Sequence, residues 1–283
     1  MAQSHEHIPL EDELGDVLDK AMGLAGMSTE ETADAAGIEL SRLQDALDWR
    51  SDLTCEEVSR LAHILSLNEV GLSAVASGGY PQPEVGGLPF CLYPLRMPHG
   101  IGVVNAYIVS ECGSERGLLF DTGPGLDALR TVWPAKIKHI DAVFLTHVEA
   151  EHVGGLCEVM SHLRIPKAFI PSGAEAPCGQ ALPDGGKWAG PYLTVTAFHT
   201  PGHAAAHNGY LVETVCGCQC RKLFVTGDLL FAGSVGCAFY CRNRLRDSVR
   251  RVLGALPPNT VLAPGHGPLT TVANELKYNP FVV

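Results

Sequence analysis

The segment Thr146–Gly155 constrains this chain more than any other ten residues. It places four side chains that can bind a metal within a few positions of one another: His147, Glu149, Glu151 and His152. The apolar run 142–145 precedes them, so they open a loop at the end of a predicted strand. Imidazole and carboxylate without thiolate suit Zn, Fe or Mn in a chemical rather than a structural role. The segment therefore predicts a metal-binding loop.

Four further candidate residues also follow strand-like runs and stand beside turn signals. They are Asp121, His203, Asp228 and His266. Open α/β architectures place their sites where buried strands run into turns. Any one of these residues could be an ordinary loop acid or core histidine. Their recurrence in the same context predicts one site assembled from several strand ends.

Length and composition limit the class of protein. The 283 residues suffice for one large or two small domains, and no apolar run reaches the ~18 residues of a membrane span. The first residues lack the basic and apolar regions of a secretory signal. Ten cysteines in such a chain predict reduced thiols rather than a disulfide framework, and hence a cytoplasmic location.

Charge divides the chain in two. Of the net charge of −11, residues 1–80 hold sixteen acidic side chains against four basic ones, whereas the remainder is close to neutral. Segment 77–87 is rich in Gly and Pro and reads as a linker. We therefore expect an all-α domain over 1–76, a linker over 77–87 and a second domain over 88–283.

The two parts have different local patterns. In the first, Ser28 with Glu31 and Thr54 with Glu57 form two predicted capping boxes, and Gly37 is a predicted helix stop. From residue 88, short apolar runs and Gly/Pro turns alternate with predicted helices near 124–133, 153–163 and 243–255. This alternation predicts an α/β domain.

The strand-end motifs resemble, in order, the five motifs of the metallo-β-lactamase superfamily. They are residues 120–123, 146–155, 200–203, 227–228 and 264–268, and the resemblance covers residues 88–283. Segments 227–234 and 264–281 look most like the small glyoxalase II-like hydrolases of that superfamily. The resemblance implies an αββα sandwich with two divalent metal ions in the cleft between its sheets.

The resemblance also assigns roles to residues. For the first metal it implies His147, Glu149, His203 and Asp228, and for the second Glu151, His152, Asp228 and His266. Asp228 would bridge the two ions, and Asp121 would orient the ligands from behind them. Through these roles Asp121 and Asp228 are the predicted catalytic residues.

The opening motif departs from the superfamily pattern. The usual His-x-His-x-Asp-His is here His-x-Glu-x-Glu-His, with Glu149 in place of an imidazole and Glu151 one methylene longer than Asp. A harder, charged ligand favours Fe or Mn relative to Zn. The flavodiiron branch of the superfamily resembles this chain at Glu149, although no flavodoxin-like domain follows His266. Loss of a working site is the remaining alternative.

Three functions are compatible with these observations. The leading hypothesis is a dinuclear hydrolase that uses a metal-bound hydroxide on a small ester or thioester. The second is a non-haem diiron oxidoreductase or an O₂/NO-responsive protein. The third is a transcriptional regulator whose second domain senses a metal.

Residues 14–76 resemble a Cro/repressor-type helix-turn-helix module. Residues 28–36 would be the scaffold helix and residues 39–49 the recognition helix. Duplex affinity depends on Lys and Arg meeting phosphates, and this segment is strongly acidic. We therefore expect a homodimer contact or a partner contact here instead of DNA binding.

Other residues carry weaker signals. Cys216, Cys218 and Cys220 stand at a predicted hairpin tip, where their one-residue spacing favours free thiols in an exposed turn over a zinc site. His199, His207 and Tyr210 fall near the predicted cleft, and we expect them to be structural or surface residues.

Overall fold

The computed structural model describes residues 8–216 and 220–283, and its first part is helical. Five helices precede the first strand: α1 (Leu14–Ala25), α2 (Thr29–Ala36), α3 (Leu40–Leu47), α4 (Cys55–Ile64) and α5 (Glu69–Ala76). Both predicted capping boxes are present, at Ser28 with Glu31 and at Thr54 with Glu57. Gly37 ends α2 in the left-handed conformation, as predicted.

Strands and helices alternate through the rest of the chain, as predicted. The first half contains β1 (Cys91–His99), β2 (Gly102–Ser110), β3 (Arg116–Phe120), α6 (Leu126–Thr131), β4 (His139–Phe144), α7 (Ala150–Val153), α8 (Leu156–Leu163), β5 (Ala168–Pro171) and β6 (Gln180–Leu182). The second half contains β7 (Lys187–Ala189), β8 (Leu193–His199), β9 (Asn208–Thr214), β10 (Leu223–Gly227), β11 (Leu230–Phe231), β12 (Ser234–Val235), α9 (Arg242–Ala255), β13 (Val261–Pro264), β14 (Thr270–Thr271) and α10 (Val272–Tyr278). Within the described ranges, no helix combines the length and hydropathy needed to cross a membrane.

Two six-stranded sheets face each other. Their strand orders are β1-β2-β3-β4-β5-β6 and β14-β13-β10-β9-β8-β7. One buried cluster fills the space between them, with Phe120 and Phe144 from the first sheet against Tyr210 and Val225 from the second. A second cluster joins the first sheet to α6 and α8, and a third joins the other sheet to α9. The layers are therefore helix, sheet, sheet and helix, which is the predicted αββα order.

The helices α1 to α5 pack against this sandwich. Their buried cluster includes Ala232 from the turn between β11 and β12, and Tyr278 and Phe281 pack against it. After α5, the buried hydroxyl of Tyr80 hydrogen-bonds the carboxyl of Glu275 on α10. The helical segment and the sandwich therefore share one apolar contact surface.

The cysteines contradict the prediction of reduced thiols. Disulfides join Cys91 to Cys112 and Cys157 to Cys178, and Cys220 is also disulfide-bonded. The expectation of free thiols is thus wrong at Cys220, whereas Cys218 lies outside the described residues. β9 and β10 are antiparallel neighbours, whereas residues 217–219 of the predicted hairpin tip lie outside the described residues. The cytoplasmic location loses its support from the cysteines and stays a prediction.

Candidate metal centre

Parallel strand pairs bring the predicted site residues to one edge of the sandwich. In the first sheet β3 runs parallel to β4, and in the second β10 runs parallel to β13. Asp121 follows β3 directly, His147 lies just beyond β4, Asp228 follows β10 and His266 lies just beyond β13. The carboxyl ends of parallel neighbours lie at the same edge of a sheet. The connection from β8 to β9 adds His203 from the second sheet.

Two groups of potential ligands meet at this edge. In each group the ligand atoms all lie within 4.8 Å of one another. The four-residue group is Glu151, His152, Asp228 and His266, and the three-residue group is His147, His203 and Asp228. Asp228 belongs to both, which is the position that the resemblance implies for a bridging ligand.

The distances around Asp228 suit metal coordination. Its Oδ1 lies 3.4 Å from His152 Nε2, and its Oδ2 lies 3.4 Å from His266 Nε2 and 3.8 Å from His203 Nε2. Two ligand atoms bound tetrahedrally to one ion at ~2.1 Å are about 3.4 Å apart. The separations are therefore those of atoms that surround an ion.

The four histidines are oriented alike. The Nδ1 atom of each ring lies within hydrogen-bonding distance of a residue outside the two ligand groups, so the Nε2 atoms face the centre. The partners are Thr146 Oγ1 for His147 (2.9 Å), Asp121 Oδ2 for His152 (3.3 Å), Cys237 O for His203 (2.9 Å) and Val103 O for His266 (3.0 Å).

Asp121 lies behind the centre, in contact with Thr146 and His152. Its Oδ1 accepts a hydrogen bond from the backbone N–H of Thr146 at 2.7 Å, and its Oδ2 accepts one from the Thr146 hydroxyl at 2.8 Å. It is 2% exposed and has a positive φ of 57°. A non-glycine residue holds this conformation at a cost of ~1–3 kcal/mol, which these hydrogen bonds offset.

Two glycines leave room for the ligands. A Cβ on Gly265 would lie 2.0 Å from Asp228 Oδ1 and 2.9 Å from His152 Cε1. Gly227 has a φ of 51°, and a Cβ there would lie 2.6 Å from Thr146 Cβ. Only glycine fits either position without displacing the residues at the centre.

Unpartnered polar atoms support a metal at this site. The Nε2 atoms of His147 and His152 and the Oδ1 of Asp228 are buried and have no hydrogen-bond partner among the described residues. Buried polar atoms are normally paired, because an unpaired one costs ~1–3 kcal/mol. Imidazole nitrogen and carboxylate oxygen that converge without partners fit divalent Zn, Fe or Mn.

The protonation states around the centre follow from burial and charge. Burial lowers the pKa of His147 well below its usual value, and the imidazole of His152 lowers it further. Burial raises the pKa of Asp228, but the neighbouring histidines, His152 first, hold it well below its usual value. For His152, burial lowers the pKa, but the carboxylates of Asp228 and Asp121 raise it well above the usual value. Binding an ion at His152 therefore displaces a proton.

The two substituted positions of the opening motif behave differently. Glu151 joins the four-residue group, because its Oε1 lies 3.5 Å from His266 Nε2, while its Oε2 lies 3.1 Å from His99 Nε2. Glu149 belongs to neither group. Its carboxylate lies 2.9 Å from His203 Nε2 and 4.0 Å from His147 Nε2, and its side chain is 39% exposed. Glu149 therefore stands at the open side of the centre.

The three weaker candidates, Tyr210, His207 and His199, have the surroundings of structural residues. Tyr210 is fully buried, and its hydroxyl donates a hydrogen bond to Leu145 O at 2.6 Å. His207 is fully buried with its ring 5.2 Å from that of His147, and burial lowers its pKa to about 3. His199 is half-buried and does not line the cavity over the centre.

This cavity has a volume of about 430 Å³. Glu149, Glu151, His203, Asp228 and His266 line its floor. The opposite wall comes from α1 and the residues just before it, which sequence reasoning did not connect with the site: Glu11, Asp12, Asp16, Asp19 and Lys20. The acidity of this segment was visible in the sequence, but no local pattern indicates what it faces.

Comparisons with known proteins agree with this geometry. A family model of the metallo-beta-lactamase superfamily matches residues 99–266. A probable metallo-hydrolase, YqgX of Bacillus subtilis (strain 168), is 30% identical over 213 residues, which are 66% of this chain and 96% of that protein. A hydroxyacylglutathione hydrolase of Aeromonas salmonicida (strain A449) is 33% identical over 151 residues, 52% of this chain and 54% of that enzyme. The match therefore spans about half of that second relative.

Solved structures show the same fold. The BLEG-1 B3 metallo-beta-lactamase has 25% identity and a TM-score of 0.56, covering 66% of this chain and 98% of its own. TTHA1623, in a di-iron-bound form, has 26% identity and a TM-score of 0.53 with the same coverage. Because the family model spans more than half of its length, the chain belongs to the metallo-beta-lactamase superfamily. Its similarity to these relatives identifies it as a metallo-hydrolase of that superfamily.

Proposed function

We propose that this protein hydrolyses small thioesters or esters at a two-metal centre in which Asp228 is the shared ligand. The observation that carries the proposal is the meeting of the two ligand groups at Asp228. The relatives named hydroxyacylglutathione hydrolase support a thioester, since that is the bond their name describes.

The ligands would divide between the two ions. His147, His203 and Asp228 would hold one ion, and Glu151, His152, Asp228 and His266 the other. Two divalent ions bound there would activate water near neutral pH and polarise the scissile carbonyl. The hydrogen bonds at each Nδ1 keep the histidine rings in place during turnover, and Asp121 acts through Thr146 and His152 rather than by touching substrate.

Replacing Asp228 tests the proposal. We expect wild-type protein to contain about two metal ions per chain and to hydrolyse simple thioesters, and Asp228→Ala to lose both properties. Asp127→Ala is the matched control, because the Asp127 side chain is 98% exposed on α6. Metal analysis by mass spectrometry and release of free thiol are the measurements. Wild-type turnover in Asp228→Ala would contradict the proposal.

The carboxylate of Glu149 favours a second candidate, a diiron oxidoreductase or O₂/NO-responsive protein. Its distance of 2.9 Å from His203 Nε2 places a hard ligand beside the three-residue group, and one structural neighbour is described in a di-iron-bound form. The same metal analysis separates the two functions. Iron with a visible spectrum that changes on exposure to O₂ supports the second, and colourless zinc protein supports hydrolysis alone.

The helix-turn-helix resemblance and the homodimer contact stay predictions. The helices α2 and α3 cover the predicted scaffold and recognition segments. Both arginines near the would-be recognition helix are ion-paired, Arg42 with Glu57 and Arg50 with Asp45 and Asp48. These pairs offset the charge of both arginines, which supports a small-molecule substrate rather than DNA as the partner.

A further inference from the structure

The wall of the cavity opposite the metal centre is fixed to the sandwich. Lys20 Nζ donates a hydrogen bond to Val235 O at 2.9 Å and pairs with the carboxylate of Asp12, which also accepts a hydrogen bond from the Ser234 hydroxyl. The side chains of Lys20 and Asp12 are only 14% and 8% exposed. These contacts hold the start of α1 over the cleft.

The charge of this wall is negative. Lys20 is the one lysine or arginine that lines the cavity within the described part of the chain, and it is paired with Asp12. Glu11, Asp16 and Asp19 remain as carboxylates that also line the cavity. Glu11 Oε1 lies 3.7 Å from His266 Nδ1, so this negative wall reaches the ligands themselves.

Apolar side chains are exposed at the same opening. Phe239 is 74% exposed and Ile101 is fully exposed, and both line the cavity. The ring of Phe239 lies 5.2 Å from that of His203. An exposed aromatic ring in a cavity that carboxylates also line suits a cation with an apolar body, such as a quaternary ammonium group.

An unpartnered atom marks where the reacting end of a ligand would lie. Asp228 lines the floor of this cavity and is 4% exposed, and its Oδ1 has no hydrogen-bond partner among the described residues. Phe239 and the carboxylates of Glu11, Asp16 and Asp19 line the same cavity, so a substrate that reaches this floor lies beside them. Its distal part therefore meets the carboxylates.

We propose that the cleft selects esters or thioesters that carry a positive charge near the scissile carbonyl, of the alkylammonium or trimethylammonium class, and disfavours anionic ones. This inference rests on the proposed hydrolysis. Each of the three carboxylates attracts a cation and repels an anion, so we expect the wall to favour a cation over an anion by about tenfold or more at low salt.

Matched substrates test this preference. One pair is acetylthiocholine and S-acetyl mercaptopropionate, with the charge on the leaving thiol. The other is the methyl ester of betaine and monomethyl succinate, with the charge on the acyl side. We expect kcat/KM, divided by the rate constant for hydroxide hydrolysis of the same substrate, to favour the cation by about tenfold in at least one pair, with less preference as salt increases. Equal values in both pairs, or preference for the anion in either, would overturn the proposal.

Reversing one charge on α1 tests whether the carboxylates of this wall cause the preference for cationic substrates. Asp19→Lys should lower the cation-to-anion ratio of kcat/KM by about tenfold, and Asp19→Asn by a smaller factor. Asp34→Lys is the control, because Asp34 is exposed on α2 and does not line the cavity. The same loss in Asp34→Lys, or none in Asp19→Lys, would count against the proposed wall.

Equilibrium binding separates failure of this inference from failure of the hydrolase proposal. The probes are ketones in which a methylene group replaces the sulfur of each thioester, titrated by calorimetry into the metal-loaded protein. If no substrate is hydrolysed, the hydrolase proposal fails, yet tighter binding of the cationic ketone that Asp19→Lys abolishes still supports the cation-selective wall. Equal binding of the two ketones overturns it.

Discussion

Four histidines were assigned to the metal centre from their motifs, and the Nε2 atom of each points toward that centre. They are His147, His152, His203 and His266. What the motifs could not show is the partner that holds each Nδ1, since two of these partners are backbone carbonyls, of Val103 and Cys237. A carbonyl oxygen is present at every residue and leaves no trace in a sequence. The motifs therefore predicted which histidines converge, whereas the orientation of their rings could not be read from the sequence.

Gly265 provides a test at the same scale. In Gly265→Ala, the new Cβ would lie 2.0 Å from Asp228 Oδ1 and would displace that carboxylate. We expect metal affinity to fall by about 10–100-fold, with a comparable loss of turnover. Competition with a chelator and a thiol-release assay are the measurements.

Gly254→Ala is the control, because a Cβ at that position in α9 meets nothing within 4 Å. It should keep the wild-type metal content and turnover. Normal metal affinity in Gly265→Ala would show that the Asp228 carboxylate does not bind a metal from its place beside Gly265.

At the scale of elements, the helix signals were accurate because they are local. The capping boxes of α2 and α4 act within four residues of the chain, so they can be read from the sequence directly. Strand positions were likewise visible from apolar runs. The order of strands in each sheet was not, since it depends on pairings such as β10 with β13, which a long stretch of chain separates.

Glu57 on α4 gives a prediction for the pairing of two helices. Its carboxylate accepts hydrogen bonds from Arg42 on α3 at 2.6 and 2.7 Å, and this guanidinium lowers the pKa of Glu57 from 4.5 to about 2. A lowered pKa in the folded state adds stability above pH 4.5 that disappears as the pH falls toward 2. We expect Glu57→Gln to lower the free energy of unfolding by ~1–2 kcal/mol at neutral pH, allowing for the exposure of Arg42.

Urea unfolding at pH 7 and pH 3 measures this difference. It should be largest at neutral pH and should shrink at pH 3, where the Glu57 carboxyl is protonated in the unfolded chain but still mostly ionised in the folded protein. Glu56→Gln, at the exposed neighbouring position, should differ little from wild type at either pH. A difference for Glu57→Gln that grows in acid would contradict the assignment.

At the scale of the whole molecule, disulfides tie together regions whose pairing the sequence did not suggest. Cys91 at the start of β1 joins Cys112 beyond β2, and Cys157 on α8 joins Cys178 before β6. Each pair closes a span of 21 residues. Ten cysteines permit many pairings, and only the distances between them in the fold select these two.

Removing one of these bridges tests their contribution. Cys91→Ser/Cys112→Ser should lower the free energy of unfolding by ~2–4 kcal/mol under non-reducing conditions, because the unfolded chain regains freedom. Cys55→Ser, at an exposed free cysteine on α4, should have little effect. Denaturant unfolding is the measurement. Equal stability of oxidised wild type and the double variant would exclude a bridge that stabilises the fold.

The sequence by itself determined the helix caps, the strand ends, the family motifs and the residue types of the centre. All of these are patterns within a few neighbouring residues. Only the tertiary structure decided that Glu149 stands outside both ligand groups and that Glu151 belongs to one. Only it placed the carboxylates of α1 over the cleft, through contacts such as that of Lys20 with Val235, 215 positions away. Contacts at such separation arise from packing, and a single sequence contains no local pattern that records them.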